Sequence, residues 1–142
     1  MHGTEPTQAQ LAALETTAGG GNDGPFTMVN LIKYKDQAIY PEDYDGPART
    51  GREAYAQYTG TVGPLIYALG GSMVFQQDRE LLFVGDETAD ADEVIIVNYP
   101  SRKAYLNMFH SSAYQNVIVH RKAGLAWRVL YQCTAMERGQ SS

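Results

Sequence analysis

Residues 92–109 read DEVIIVNYPSRKAYLNMF, and this stretch decides the fold. Val94 to Tyr99 is a short run of largely β-branched side chains, apolar in both phases of a strand. Pro100 cannot continue a central strand, and Ser101 is a residue type that caps helices. Ala104, Tyr105 and Met108 then recur at helical spacing. The stripe breaks at His110 to Ser112, resumes with Tyr114, Val117, Ile118 and Arg121, and stops at Gly124. A last strand follows from about Leu125 to Cys133, with Trp127, Val129 and Tyr131 on one face and Ala126, Arg128 and Leu130 on the other.

The same strand–helix–strand order precedes it. Phe26 to Tyr34 (FTMVNLIKY) is a strand with Phe26, Met28 and Ile32 on one face and Val29 and Leu31 on the other, so both faces are expected to be buried. Lys35 to Arg49 carries two prolines, a glycine and four acids and reads as a long surface loop, a candidate lid. Thr50 and Glu53 form a capping box for a helix that runs to about Leu69, where Gly63 and Pro64 are expected to bend it. Ser72 to Gln77 and Glu80 to Gly85 read as two short strands across a turn at Asp78 and Arg79, followed by an acidic turn from Asp86 to Glu93.

In front of this body, Thr7 and Gln10 make another capping box for a short helix, and Gly19 to Gly24 reads as a flexible linker. The division expected is residues 1–24 as helix and linker, 25–133 as the folded domain and 134–142 as a loose polar tail.

Two helices cover one face of such a sheet. Strands apolar in both phases then need a second cover, most simply another copy of the chain packed face to face as a homodimer.

The composition narrows the function classes. The chain has 142 residues and a formal charge of −5, which disfavours nucleic acid as a partner because affinity for phosphates rests on clustered Lys and Arg. No window resembles a membrane span, and residues 1–10 lack a charged n-region and an apolar h-region, so no membrane partner and a cytoplasmic location are expected. Cys133 has no internal disulfide partner. Tyr is abundant, ten residues against four Phe, which asks for rings buried in body with a polar contact at the tip.

GPFTMVNLIKYKD, TGREAYAQY with GPLI, the GG pair with its hairpin, DEVIIVNYPSRKAYLNMF, SSAYQ and HRKAGL together resemble the domain of unknown function 1330 (DUF1330) family of the dimeric α/β-barrel superfamily. The resemblance covers about Pro25 to Cys133. It implies an α+β, ferredoxin-like βαββαβ antiparallel sheet, here with an extra hairpin strand and an N-terminal helix, that dimerises as an α/β barrel. It brings no function with it. Elsewhere in that superfamily are cofactor-independent monooxygenases, muconolactone isomerase, haem-binding peroxidases and chlorite dismutase, which are analogies of fold alone.

No metal motif is present among the histidines and no cofactor is expected. Asn30 and Asn98 interrupt apolar strands that neighbour one another in such a sheet, so the two amides are expected close together on one face. They serve either a structural network or a ligand. Arg102 at a helix start is either an anchor for a carboxylate or phenolate, or a solvated cation. Tyr34 and Tyr99 end strands, while Tyr58, Tyr114 and Trp127 either pack the core or line a cavity. His110 either caps a helix end or moves a proton.

The expected function is binding of a small aromatic or anionic molecule between sheet and helices. It takes the form of cofactor-free monooxygenase or isomerase chemistry with His110 and Tyr99 as catalytic candidates, or of a non-catalytic binding or regulatory module. The acids of Asp86 to Glu93 lack calcium-loop spacing and are expected to be solvated.

Overall fold

Thr7 and Thr50 open their helices by the same device. Each threonine hydroxyl accepts the backbone N–H three residues on, and the Gln10 or Glu53 side chain accepts the threonine's own N–H at 2.8 Å. The helices that follow are α1 (Gln8–Thr17) and α2 (Gly51–Ala68). The structure is a computed structural model and describes residues 3–135. Most of the loose tail expected at 134–142 lies outside the described residues.

α2 runs unbroken through Pro64. The local chain suits the ring, because Gly63 before it has no Cβ to meet the proline Cδ.

The strands β1 (Phe26–Tyr34), β2 (Ser72–Asp78), β3 (Glu93–Tyr99) and β4 (Leu125–Cys133) form one antiparallel sheet in the order β2-β3-β1-β4. With α2 crossing between β1 and β2, and α3 (Arg102–Phe109), α4 (Ser112–Gln115) and α5 (Ile118–Gly124) between β3 and β4, this is the ferredoxin-like arrangement expected from the sequence. The start of α2 meets the end of α5 at Gly51 and Gly124, where a Cβ on Gly51 would stand 2.6 Å from the Gly124 carbonyl. Glycine at this contact is a condition of the packing.

Register divides the sheet into two faces. Phe26 lies opposite Tyr99, Met28 opposite Val97, Asn30 opposite Ile95 and Leu130, and Ile32 opposite Glu93 and Arg128. This face packs on α2 and the α3–α5 segment, with Phe26, Met28, Ile32, Ile95 and Val97 buried. The other face carries Val29, Leu31, Val94, Ile96 and Val129, only half-buried, with Tyr131 56% exposed. Among the described residues no helix covers it, so burial of both faces is not met within them.

Three expectations are corrected. The extra hairpin strand at Glu80 to Gly85 does not form, and Leu81, Phe83 and Val84 stand 68%, 86% and 83% exposed. Arg79 is held by the Asp92 carbonyl, the Ala91 carbonyl and the Asp90 carboxylate, which ties the end of β2 to the β3 loop. The linker Gly19 to Gly24 is anchored rather than free, since Asp23 bonds to Gly19 and to the start of α3. The acidic turn is solvated only in part. Asp90 and Asp92 pair with Lys33 and Arg79, and Glu93 is 5% exposed.

Among the described residues, no helix is long and apolar enough to cross a membrane.

Candidate functional site

Tyr55, Tyr58, Thr59, Val62, Gly63 and Ile66 fall on one stripe of α2, the stripe turned to the sheet. Between them and Asn30, Met73, Ile95, Val97 and Tyr99 lies a cavity of about 40 Å³. A wider groove of about 550 Å³ adjoins it between α2 and the edge strand β2, lined by Pro64, Tyr67, Val74, Phe75 and Gln76, with Gly63 and Met73 common to both. The arrangement is a small inner chamber behind a larger, mostly apolar outer one.

The polar groups of the chamber are partly uncommitted. Asn30 donates Nδ2 to the Ile95 carbonyl at 3.2 Å and to that of Met28 at 3.5 Å, while its Oδ1 has no partner among the described residues. The hydroxyls of Tyr55 and Tyr99 likewise make no hydrogen bond among the described residues, although the rings are fixed. Tyr99 stacks on Phe26 at 5.4 Å and meets Tyr105 edge-on at 5.1 Å. Burial, with a smaller push from Tyr105, raises the Tyr99 pKa, so this phenol stays protonated and can donate.

Two buried networks flank the chamber. On the β2 side, the Tyr34 hydroxyl donates to Glu93 Oε1, and Gln76 Nε2 donates to Glu93 Oε2 at 2.8 Å. The Arg52 guanidinium lies 4.7 Å from the Tyr34 ring centroid and binds Asp78 at 2.9 Å. Burial and the Glu93 carboxylate both raise the Tyr34 pKa.

On the α5 side, Arg121 is 0% exposed. Its Nη1 donates to the Tyr114 hydroxyl at 2.6 Å and to that of Tyr58 at 3.4 Å, and its Nη2 binds Glu5 at 2.7 Å. The Tyr58 and Tyr114 hydroxyls are 3.1 Å apart.

Of the residues singled out by sequence, Asn30, Tyr58 and Tyr99 line the chamber, and Tyr114 and Tyr34 belong to its flanking networks. The others lie elsewhere. Asn98 is on the opposite face, opposite Thr27, whose hydroxyl donates to its Oδ1 at 2.7 Å. The expectation that Asn30 and Asn98 share a face is therefore corrected: Asn30 lies opposite Ile95, an odd number of positions from Asn98, and side chains alternate.

Trp127, opposite Lys33, is on that open face as well. Arg102 is buried against Phe26 at 4.8 Å and paired with Asp23, and Asp23 also takes the α3 N–H groups, so the chain's own carboxylate fills the anion position expected there. His110 is the exposed C-cap of α3, edge-on to Phe109. The candidate lid is fastened at the far end of α5, where Lys35 and Ile39 bond to the Gly124 and Ala123 carbonyls and Tyr40 contacts His120.

Tyr55, Thr59, Glu93 and Arg121 were missed as site residues. Tyr55 shared the helical stripe with Tyr58 and could have been found by it. Arg121 fell on the helical stripe with Tyr114, Val117 and Ile118, and nothing local marks Glu93 as buried. No group of three or more His, Cys, Asp or Glu among the described residues could hold a metal ion.

Comparison with known proteins places the chain. The model of the family described as "domain of unknown function (DUF1330)" matches residues 48–131. The crystal structure of the methylated RPA0582 protein is similar at 33% identity and a TM-score of 0.85, over 99% of this chain and 100% of that one. A second structure of RPA0582, a protein of unknown function from Rhodopseudomonas palustris, shares 31% identity at a TM-score of 0.83, over 96% and 99% of the two chains. An uncharacterized NIPSNAP-like domain protein from Burkholderia xenovorans shares 10% identity at a TM-score of 0.49, over 81% and 88%. No curated protein matches. The family model, which matches more than half of the chain, shows that the chain belongs to the DUF1330 family.

Proposed function

We propose that this protein binds a small molecule between α2 and the sheet, polar head in the inner chamber and apolar body in the outer groove, and that it does so as a homodimer. The observation that carries the binding reading is that three residues lining one chamber, Asn30, Tyr55 and Tyr99, each keep a polar atom without a hydrogen bond among the described residues. Buried polar atoms are normally satisfied, so a set left open on a shared cavity is what a ligand or water would complete. The homodimer reading is supported by the uncovered apolar face formed by Val29, Leu31, Val94, Ile96 and Val129.

The binding module is preferred to the catalyst. The proton carrier expected from sequence, His110, is an exposed helix cap and lines neither chamber nor groove.

The test is a screen of small aromatic and carboxylate fragments read by protein NMR. Hits should shift signals of Asn30, Tyr55 and Tyr99, disappear in Asn30→Ala and persist in Asn98→Ala. Hits that ignore Asn30→Ala, or that gather on the opposite face, would overturn the assignment.

A further inference from the structure

The Arg121 network leaves one proton over. Arg121 Nη1 donates to both tyrosine oxygens, at 2.6 Å to Tyr114 and 3.4 Å to Tyr58, so each oxygen spends a lone pair as acceptor. The two hydroxyls are 3.1 Å apart and share one further bond. They carry two protons between them. The remaining proton has no acceptor among the described residues.

Tyr114 is 2% exposed and does not line the chamber, whereas Tyr58 does. If Tyr58 donated to Tyr114, the Tyr114 proton would be stranded in the core, an expensive arrangement. The opposite polarity avoids this: Tyr114 donates to Tyr58, and the spare proton falls on the tyrosine that lines the chamber. Behind it stands the Arg121 cation, 5.2 Å from the Tyr58 ring centroid, with Nε unpaired and its carboxylate partner, Glu5, on Nη2 rather than on the Nη1 that serves the tyrosines.

We infer that the chamber selects an electron-rich oxygen, the head group of a carboxylate or phenolate, through the Tyr58 hydroxyl, and that buried Arg121 is the positioning residue that sets the direction of that donor. The inference rests on the small-molecule reading above and adds a ligand class to it. A cation such as an alkylammonium meets a donor facing it and a positive charge behind that donor, and is disfavoured on both counts.

Benzoate and benzylamine, alike in ring and opposite in head charge, serve as probes, with affinity read by NMR titration of the intact protein. Wild type should bind benzoate at least about tenfold more tightly than benzylamine. Tyr58→Phe should weaken benzoate and narrow the preference, with benzylamine bound no more weakly than by wild type.

Glu5→Gln keeps a hydrogen bond to Arg121 but removes its counter-charge from a position outside the chamber. It should lower the melting temperature and yet tighten benzoate by roughly threefold. A merely structural Arg121 would give weaker benzoate binding together with lower stability, and that result overturns the inference even if Tyr58→Phe fails to fold. Equal binding of the two probes, or tighter benzylamine, overturns it too while leaving the cavity in place. Failure of both probes to shift Asn30 signals removes the cavity reading itself.

Discussion

Asp23 caps the helix that Arg102 begins: its carboxylate accepts the Arg102 backbone N–H at 2.7 Å and that of Lys103 at 3.1 Å, and its Oδ1 lies 3.8 Å from the Arg102 guanidinium. A residue of the glycine-rich segment thereby fastens α1 and its linker to the second half of the fold. Burial acts to raise the Asp23 pKa, but the N–H groups of Gly19, Arg102 and Lys103 and the Arg102 charge outweigh it and hold the carboxyl below its ordinary 3.8.

Asp23→Ala should therefore lower the melting temperature at neutral pH. A depressed folded-state pKa contributes stability that is present above the unfolded value and lost as pH falls through the folded one. The gap between wild type and variant should narrow as the pH is taken below about 3.8, the ordinary value. Thermal unfolding across that range checks both points, and a gap that stays constant would count against the cap.

The buried Glu93 carboxylate receives two partly buried hydrogen bonds, from Tyr34 and Gln76, so Glu93→Ala leaves two donors without this acceptor. A loss of about 3 kcal/mol is expected in urea unfolding, against about 1 kcal/mol for Tyr34→Phe, which leaves the carboxylate with Gln76. Equal losses would mean that the cluster is not acting as a network.

Ile96 sits near the middle of the uncovered face, opposite Val29 on one side and Phe75 on the other. Ile96→Asp should convert a dimer to a monomer in light-scattering chromatography while far-UV circular dichroism stays unchanged, because the helix-covered face is untouched. Wild type eluting as a monomer at micromolar concentration would refute the homodimer.

His120 Nδ1 lies 2.8 Å from the Tyr40 hydroxyl, and Tyr40 stacks on Tyr44 at 3.9 Å. Burial and the nearby Arg49 charge lower the His120 pKa below 6.5. Folding thus excludes a proton that the unfolded chain takes up, so stability is full above about 6.5 and falls as pH drops from there toward the folded value. An imidazole NMR titration should place His120 below 6.5, and Arg49→Ala should move it upward.

Local signals carried most of the architecture. The capping boxes at Thr7 and Thr50, the Pro100–Ser101 break and the apolar phases of β1 and β3 were readable because each concerns residues within a turn or a strand of one another. The uncovered sheet face was also legible, since it follows from the count of helices against strands.

The site was legible only in part. Asn30, Tyr58 and Tyr99 were found by type and stripe. Whether Asn30 and Asn98 share a face depends on the register of β1 on β3, and a shift of one residue reverses the answer. The ELLFV run has strand character, but Arg79 just before it is tied to the loop that leads into β3, a contact between distant segments that no local signal shows.

Arg121 meets Glu5 across 116 positions, and Arg102 meets Asp23 across 79. In sequence, Arg102 is a cation at a helix start that nothing distinguishes from a solvated one, and Arg121 falls on an apolar stripe with no sign of the carboxylate that pairs with it. Propensity, capping and periodicity are set by neighbours a few residues away, and the sequence by itself determined those. Which charges are buried and which acceptors are left open are set by contacts between distant segments, and only the tertiary structure decided them.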